Sequence, residues 1–217
     1  MRNIRRFVLL AVMATLLTSC SNGQSTFTAT EAAEETGSSV TVCDVVADVR
    51  PDPISSGPLY LDLVRPAPDQ AMTIMIQNRD GAGAIRYLGH EVCASGLVEA
   101  TGGDSARPRL MVKSPSQVRI SGPAPAVISA AEAAAGPERI ATVCDVVAAF
   151  RPDSISELTG FLDLVRPAPD ALITVVLEDR RQLVEAASYP GKTACVTGYV
   201  KKDRTLTLRD PRELVLK

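Results

Sequence analysis

The sequence predicts an all-β protein made of two tandem small barrels, each with five strands. Residues 42–69 recur 101 positions later as residues 143–170, with 20 of 28 positions identical and no gap, which indicates a duplicated domain. Within each copy, apolar residues alternate with a period of two, and turn-forming residues recur about every ten positions. Such a pattern is typical of short β-strands.

Each copy contains five predicted strands. In the first copy they span 39–50, 59–65, 71–77, 91–99 and 109–113. In the second copy they span 142–151, 160–166, 171–178, 192–201 and 205–209. Between the third and fourth strands, residues 79–88 and 179–189 are the only segments suited to a short helix, and the second suits one better because the first contains two glycines.

The second copy carries short motifs in a fixed order: FLDL at 161–164, PAPD at 167–170, ITVV at 173–176, YPGKTACVTG at 189–198 and LRDP at 208–211. Together with the strand layout, they resemble bacterial OB-fold domains of the nucleic-acid-binding type. The first copy departs from this pattern at 89–91, where Glu91 stands next to the position of the lysine, but it keeps PSQV at 115–118. The resemblance implies a five-stranded barrel that binds a ligand on its surface.

Residues 1–20 have the pattern of a secretory signal. Three arginines precede an apolar run over 7–17 that is shorter than the roughly 20 residues of a transmembrane helix. The run closes on Leu-Thr-Ser-Cys at 17–20, which resembles the bacterial lipobox, so we expect Cys20 to be lipidated. The alternative is an ordinary signal peptide with a chance cysteine. Ser21 after the cysteine suggests sorting to the outer membrane, with the protein facing the periplasm or the cell surface.

The remaining segments divide by composition. Residues 21–39 are polar and acidic, which predicts a flexible tether, and residues 121–137 are rich in Ala and Pro, which predicts a linker with a short helix at 129–135. The two repeats are then 40–120 and 138–217. Without the three signal arginines, 20 basic side chains face 25 acidic ones, so the cleaved chain carries about −5 and has no basic field for a polyanion.

One disulfide is predicted in each repeat. Cys43 and Cys93 are 50 residues apart, and Cys144 and Cys195 are 51 apart. A duplicated unit that folded before duplication would contain its own bridge, and an exported protein meets an oxidising compartment. Buried free thiols are the alternative. A metal site is not expected, because the chain has no CxxC motif and His90 is its only histidine.

Two pentads with the sequence RPAPD, at 65–69 and 166–170, predict rigid hairpins because proline fixes φ and removes a ladder donor. Arg65 and Arg166 could in addition present matching charges to a ligand. Gly96 and Gly198 lie inside predicted strands. Because glycine has no side chain, we expect the strand to bend sharply there or another backbone to approach closely.

The best candidate ligand-binding cluster consists of Lys201, Lys202 and Arg204, in the hairpin between the fourth and fifth strands of the second repeat. A solvated hairpin tip is the alternative interpretation. The first repeat has a longer loop there with Gly102 and Gly103, so the two copies differ where OB domains usually bind.

No catalytic constellation, phosphate-binding loop or cofactor motif is evident, and we expect no enzyme activity and no cofactor. The repeated acids Asp44, Asp62, Asp145 and Asp163 have no partners that the sequence identifies, although Arg50 with Asp52 and Arg151 with Asp153 are predicted as loop ion pairs or caps. We therefore expect a lipid-anchored, non-catalytic interaction module of the bacterial cell envelope that contacts a protein, peptide or glycan. Single-stranded nucleic-acid binding is the alternative.

Overall fold

A computed structural model describes residues 25–51, 57–78, 84–100, 107–178, 180–208 and 210–217. It is almost entirely β, with two tandem barrel-like domains, as the sequence predicts. Within these residues no helix is both long and apolar enough to cross a membrane.

The first barrel is closed. Its strands are β1 (Thr26–Phe27), β2 (Ser39–Pro51), β3 (Leu59–Leu63), β4 (Met72–Ile76), β5 (Glu91–Glu99), β6 (Arg109–Val112) and β7 (Val118–Ile120). Strands β2, β3, β4, β6 and β5 pair in that order and β5 returns to β2, with only the β4–β6 pair parallel among the five. Helix α1 (Ala29–Ala32) follows β1, and 3₁₀ turns lie at Ala84–Tyr87 and Pro115–Gln117.

The second barrel repeats this arrangement but leaves one seam open. Its strands are β8 (Val127–Ile128), β9 (Arg139–Pro152), β10 (Gly160–Leu164), β11 (Ile173–Leu177), β12 (Thr193–Val200), β13 (Thr205–Leu208) and β14 (Leu214–Leu216). Helices α2 (Ala130–Ala135) and α3 (Arg180–Ala186) and a 3₁₀ turn at Pro211–Glu213 complete it. The sheet order is β13-β11-β10-β9-β12-β14, so in the described part of the chain no ladder joins β12 to β13.

The period-two alternation sorts side chains as predicted. Leu59, Leu61 and Leu63 of β3 face the first core and are at most 1% exposed, and Leu162 and Leu164 of β10 do the same in the second. Each fully buried leucine contributes about 1.5–3 kcal/mol relative to an exposed one. All ten predicted strands are confirmed to within three residues at each end, and the segments suited to a helix hold a 3₁₀ turn and α3.

The structure corrects the predicted tether and linker. From Thr26 onward the tether at 21–39 contains β1 and α1, and the linker at 121–137 contains β8. The short helix expected at 129–135 is confirmed as α2. Alanines of both helices are packed into the two cores, because a small side chain fits between helix and sheet. Each short strand pairs in parallel with the first long strand of its barrel. The repeat therefore begins near residues 26 and 127 rather than at 40 and 138.

Both predicted disulfides are present. Cys43 pairs with Cys93, and Cys144 with Cys195. In each barrel the two cysteines stand directly opposite each other on adjacent antiparallel strands, with Cα atoms 4.1 and 4.0 Å apart. Each bridge fastens the long first strand to the fourth barrel strand.

The glycine prediction is confirmed most clearly at Gly96. A Cβ there would overlap the backbone carbonyl oxygen of Met111 on the neighbouring strand β6. At Gly198 a Cβ would lie 3.0 Å from Cδ2 of Leu206, a side-chain atom that can move. Of these two matched positions, Gly96 is therefore the one where a neighbouring backbone lies too close for a side chain.

Candidate ligand-binding cleft

The repeated acids Asp62 and Asp163 have structural partners that the sequence did not identify. Asp62 accepts hydrogen bonds from Arg50 Nε at 2.5 Å and Nη2 at 2.8 Å, and Asp163 accepts the same pair from Arg151 at 2.7 and 3.0 Å. Both carboxylates are fully buried. Arg151 therefore pairs with Asp163 and not with Asp153. Asp153 instead caps its loop, as the second expected role, by accepting the backbone N–H of Ile155 at 3.0 Å. Asp52 lies outside the described residues.

These ion pairs anchor the RPAPD hairpins. Asp163 Oδ2 accepts the backbone N–H of Ala168, inside the second pentad, at 3.0 Å, and Thr174 donates to Oδ1 at 3.2 Å. Burial raises the pKa of Asp163, but the hydrogen bonds from Arg151, Ala168 and Thr174 outweigh it and hold the pKa below its usual value. The carboxylate therefore stays charged and fixed in place.

Asp44 and Asp145 fasten the short helices. Asp44 Oδ2 accepts the N–H of Ala29 at 3.0 Å, and Asp145 Oδ2 accepts the N–H of Ala130 at 3.1 Å. A carboxylate at the first turn of a helix satisfies a backbone donor that has no partner within the helix. All four repeated acids are therefore engaged in holding the fold.

The first RPAPD hairpin faces the second barrel across a cleft of about 370 Å³. The hairpin contributes one wall, and the β12–β13 turn contributes the other. The lining residues are Arg65, Pro66, Ala67, Pro68, Asp69, Glu138, Tyr199, Lys201, Lys202 and Asp203.

Three of the five predicted ligand-binding residues meet in this cleft, namely Arg65, Lys201 and Lys202. The other two, Arg166 and Arg204, do not line it. Arg166 occupies the matching position of the second RPAPD hairpin and is exposed. The first hairpin lines this cleft because it faces the second barrel, and the second hairpin does not line it.

The β12–β13 turn is held by backbone hydrogen bonds. Lys201 N donates to Thr205 O at 2.9 Å, and Arg204, which adopts a φ of 63°, donates to Lys201 O at 2.9 Å. Asp203 accepts from both the backbone and the hydroxyl of Thr205, at 3.0 and 2.7 Å. Across the cleft edge, Glu138 accepts the backbone N–H of Lys202 at 3.0 Å. The cleft wall is fixed before any ligand arrives.

The cleft cations are unpaired. In the described parts of the chain, the charged groups of Arg65, Lys201 and Lys202 make no hydrogen bond or ion pair, and all three side chains are exposed. Tyr199 beside them is half-buried. Burial first, and then the Glu138 carboxylate, raise the pKa of Tyr199, so its hydroxyl stays protonated and can donate. The cleft thus offers free cations and an aromatic ring to a ligand.

The two barrels are in close contact beside the cleft. A Cβ on Gly89 of the first barrel would overlap the side chain of Pro125 and lie 3.1 Å from Cγ2 of Ile140. A cavity of about 40 Å³ next to the cleft is lined by Leu88 from one barrel and by Gly198 and Thr207 from the other. The first barrel therefore covers part of the open seam between β12 and β13.

Sequence reasoning missed the contributions of Tyr199, Glu138 and Asp69 to the cleft. No local pattern signals them, because they meet only when one barrel packs on the other. Cys20 and the longer loop with Gly102 and Gly103 lie outside the described residues, as do residues 1–19. Among the described residues, no group of three His, Cys, Asp or Glu side chains is arranged to hold a metal ion.

A separate aromatic position lies on the first barrel. Two guanidinium groups lie near the ring of Tyr60. The Cζ atoms of Arg50 and Arg109 are 5.5 and 5.6 Å from the ring centroid. Among the described residues of the second barrel, Arg151 alone stands over the equivalent Phe161, with its guanidinium carbon 5.1 Å from the ring centroid.

The strand order and closure of the first barrel are those of an OB-fold-like domain. No family model matches the chain, and no curated protein matches it. Among solved structures it is similar to the p204 HINb domain, with 11% sequence identity and a TM-score of 0.31 over 81% of this chain and 94% of that one.

Proposed function

We propose that the protein is a lipid-anchored, non-catalytic binding module of the bacterial cell envelope, and that the cleft between its barrels holds the ligand. The observation that carries this proposal is the meeting of Arg65 from one barrel with Lys201 and Lys202 from the other, none of which makes an ion pair among the described residues. Charged groups left free in a preformed cleft favour a ligand that brings its own anions.

The ligand is a protein segment, peptide or glycan that carries carboxylate or similar groups. Tyr199 and Pro66 present flat, partly apolar surfaces beside the cations, which suits an extended chain better than a compact ion. The lining also contains Asp69, Glu138 and Asp203, so its cations and carboxylates are equal in number. Glu138 and Asp203 accept hydrogen bonds from the backbone of the turn, which orients these two carboxylates toward the turn.

A binding role rather than a catalytic one is supported by the engagement of the repeated acids. Asp62 and Asp163 are buried in ion pairs, and Asp44 and Asp145 hold helix N-termini. A general acid or base needs a carboxyl group that reaches the substrate.

Lipidation at Cys20 would keep the first barrel near the membrane. Only six positions separate Cys20 from the start of β1 at Thr26. A chain of six residues spans at most about 20 Å. The corrected start of the domain therefore shortens the tether and limits the partners to molecules close to the lipid surface.

Site-specific photo-cross-linking in cells tests the cleft. A photoreactive amino acid at Asp69, which is exposed and lines the cleft, should yield a discrete adduct with an envelope component, and Lys201→Glu together with Lys202→Glu should abolish it. The same amino acid at Asp170, at the matching place of the second hairpin, is the control and should give no such adduct. Equal adducts at positions 69 and 170, insensitive to the lysine substitutions, would contradict the proposal.

Single-stranded nucleic-acid binding remains a second candidate, favoured by the ring of Tyr60 between two arginines. Bases stack on aromatic rings, and arginines contact phosphates. However, Arg50 is already held by Asp62. Fluorescence anisotropy of a labelled single strand at two salt concentrations tests this candidate. We expect weak binding that salt removes; tight, salt-resistant binding that Tyr60→Ala abolishes would favour nucleic acid instead.

A further inference from the structure

The second barrel contains a pocket of about 220 Å³ that is distinct from the cleft. It lies where α3 meets the ends of β11 and β13 and the strand β14. Four leucines form its walls, at positions 177, 208, 214 and 216. The leucines favour contact with an aliphatic group, and the polar side chains of Gln182, Glu185 and Tyr189 complete the lining.

One polar side chain in this pocket is buried without a partner. Gln182 of α3 is only 4% exposed, and neither its Nε2 nor its Oε1 has a hydrogen-bond partner among the residues that the structure describes. A buried amide without hydrogen bonds destabilises the fold, and native proteins rarely tolerate one. The unpaired amide of Gln182 is explained if a ligand in the pocket supplies the missing donor and acceptor.

We propose that this pocket binds one aliphatic residue of an extended peptide, whose backbone amide pairs with Gln182. A peptide group has one N–H and one C=O, which complement the Oε1 and Nε2 of a glutamine side chain. A leucine-sized side chain attached to that peptide group fits the leucine walls.

The charge at the pocket mouth favours a neutral peptide over a fatty acid. Glu185 is exposed, lines the pocket and accepts a hydrogen bond from Tyr189 at 3.3 Å. Its carboxylate repels the head group of a free fatty acid, whereas a peptide amide carries no charge.

An available strand edge lies beside the pocket. β14 pairs with β12 on one side and ends the sheet order in the described residues. Extended peptides commonly add to such an edge while alternate side chains enter pockets. Because Leu214 and Leu216 line the pocket and Val215 between them is 55% exposed, the edge and the pocket are contiguous.

The first barrel offers no equivalent amide in its described residues. There Tyr87 is 1% exposed, and its hydroxyl donates to Pro115 O at 3.4 Å and accepts from Arg86 at 2.6 Å. The tyrosine at the corresponding place in the second barrel, Tyr189, bonds to Glu185 instead. The sequence of the first copy has no glutamine in the corresponding segment 79–88, so the proposal concerns the second copy, and it does not depend on the cleft.

Nuclear magnetic resonance titration of the chain from residue 20 onward, carrying Cys20→Ser, tests the pocket. The probe is N-acetyl-leucine methylamide, and the comparison compounds are the equivalent capped aspartate and octanoate. We expect the side-chain amide signals of Gln182 and the backbone signals of Leu177 and Leu208 to shift, with a Kd on the order of 1 mM for so small a ligand. Capped aspartate and octanoate should produce no such shifts.

Two variants separate a binding role of Gln182 from a structural one. Gln182→Leu should weaken binding of the capped leucine about tenfold and raise the melting temperature, because the unpaired amide is removed. Val184→Ala, on the exposed face of α3 and outside the pocket lining, should leave binding unchanged. The proposal is overturned if Gln182→Leu lowers the melting temperature without changing binding, if octanoate binds better than capped leucine, or if capped leucine shifts none of the pocket signals.

Discussion

Arg151 holds Asp163 through two parallel hydrogen bonds, Nε to Oδ2 at 2.7 Å and Nη2 to Oδ1 at 3.0 Å. The carboxylate is fully buried, whereas the arginine side chain is 44% exposed. Bidentate geometry of this kind is among the stronger charge-assisted contacts in proteins. Since Asp163 also accepts the N–H of Ala168, one carboxylate joins β9, β10 and the RPAPD hairpin.

Replacing this carboxylate should destabilise the second barrel. Asp163→Asn removes the charge and leaves polar groups of the hairpin without a good acceptor, so we expect the free energy of unfolding to fall by about 2 kcal/mol. Urea denaturation measures the change. Asp170→Asn, an exposed residue of the same pentad, is the control and should have an effect below about 0.5 kcal/mol. Equal effects of the two substitutions would show that the ion pair does not hold the hairpin.

The same carboxylate should make stability depend on acid pH. Its pKa is lower in the folded protein than in the unfolded chain, so its contribution is fully present above the unfolded value of about 3.9. The contribution is lost as the pH falls through the folded pKa, because both states are then protonated. Urea midpoints measured from neutral pH down to about pH 2 should fall less steeply for Asp163→Asn than for the unaltered protein. Parallel pH profiles would contradict the assignment.

Each disulfide should stabilise its own barrel. Removing Cys43 and Cys93 together, as alanines, should lower the free energy of unfolding by about 4 kcal/mol, since the bridge closes a loop of 50 residues. Replacing Cys144 and Cys195 should cost the second barrel a similar amount. Non-reducing mass spectrometry of proteolytic fragments should find only bridges within a repeat; a bridge between repeats would refute the pairing.

Two glycines at matched positions should tolerate alanine differently. Gly96→Ala drives a methyl group into the carbonyl oxygen of Met111, so we expect a loss of more than about 2 kcal/mol. Gly198→Ala meets only the side chain of Leu206 and should cost about 1 kcal/mol or less. Chemical denaturation of the two variants makes the comparison, and a larger loss for Gly198→Ala would contradict the packing described.

Strand positions and disulfides could be predicted from the sequence because both depend on local pattern and on duplication. Period-two alternation places Leu59, Leu61 and Leu63 inward regardless of what surrounds the barrel. The pairing of Cys43 with Cys93 follows once one bridge per repeat is assumed. These features need no knowledge of how the barrels meet.

The start of each repeat was harder to predict because it depends on small residues. The helices α1 and α2 bury alanines, which give little hydrophobic signal in a polar segment. A signal nevertheless exists: Thr28-Ala29 with Glu31 recurs as Ser129-Ala130 with Glu132, again 101 positions later. In both copies the hydroxyl at the first position caps the helix.

The sequence did not identify Asp62 and Asp163 as the partners of Arg50 and Arg151, because proximity along the chain is a poor guide within a sheet. Arg50 stands opposite Tyr60 across the β2–β3 ladder, and Asp62 lies two residues further on the same face of β3. Residues two apart on a strand point to the same side, so the arginine reaches Asp62. The cleft was equally hidden, since Arg65 and Lys201 lie in different repeats.

The measurement that tests the cleft most directly is the affinity of the cross-linked envelope ligand for charge-reversal variants of both barrels. Arg65→Glu in the first barrel and Lys201→Glu in the second should each weaken binding at least about tenfold, since each reverses a charge that contacts the ligand. Arg166→Glu and Arg204→Glu, which lie outside the cleft lining, should leave the Kd within about a factor of two. A site shared by the two barrels would be contradicted if only one of Arg65→Glu and Lys201→Glu weakened binding, or if Arg166→Glu weakened it equally.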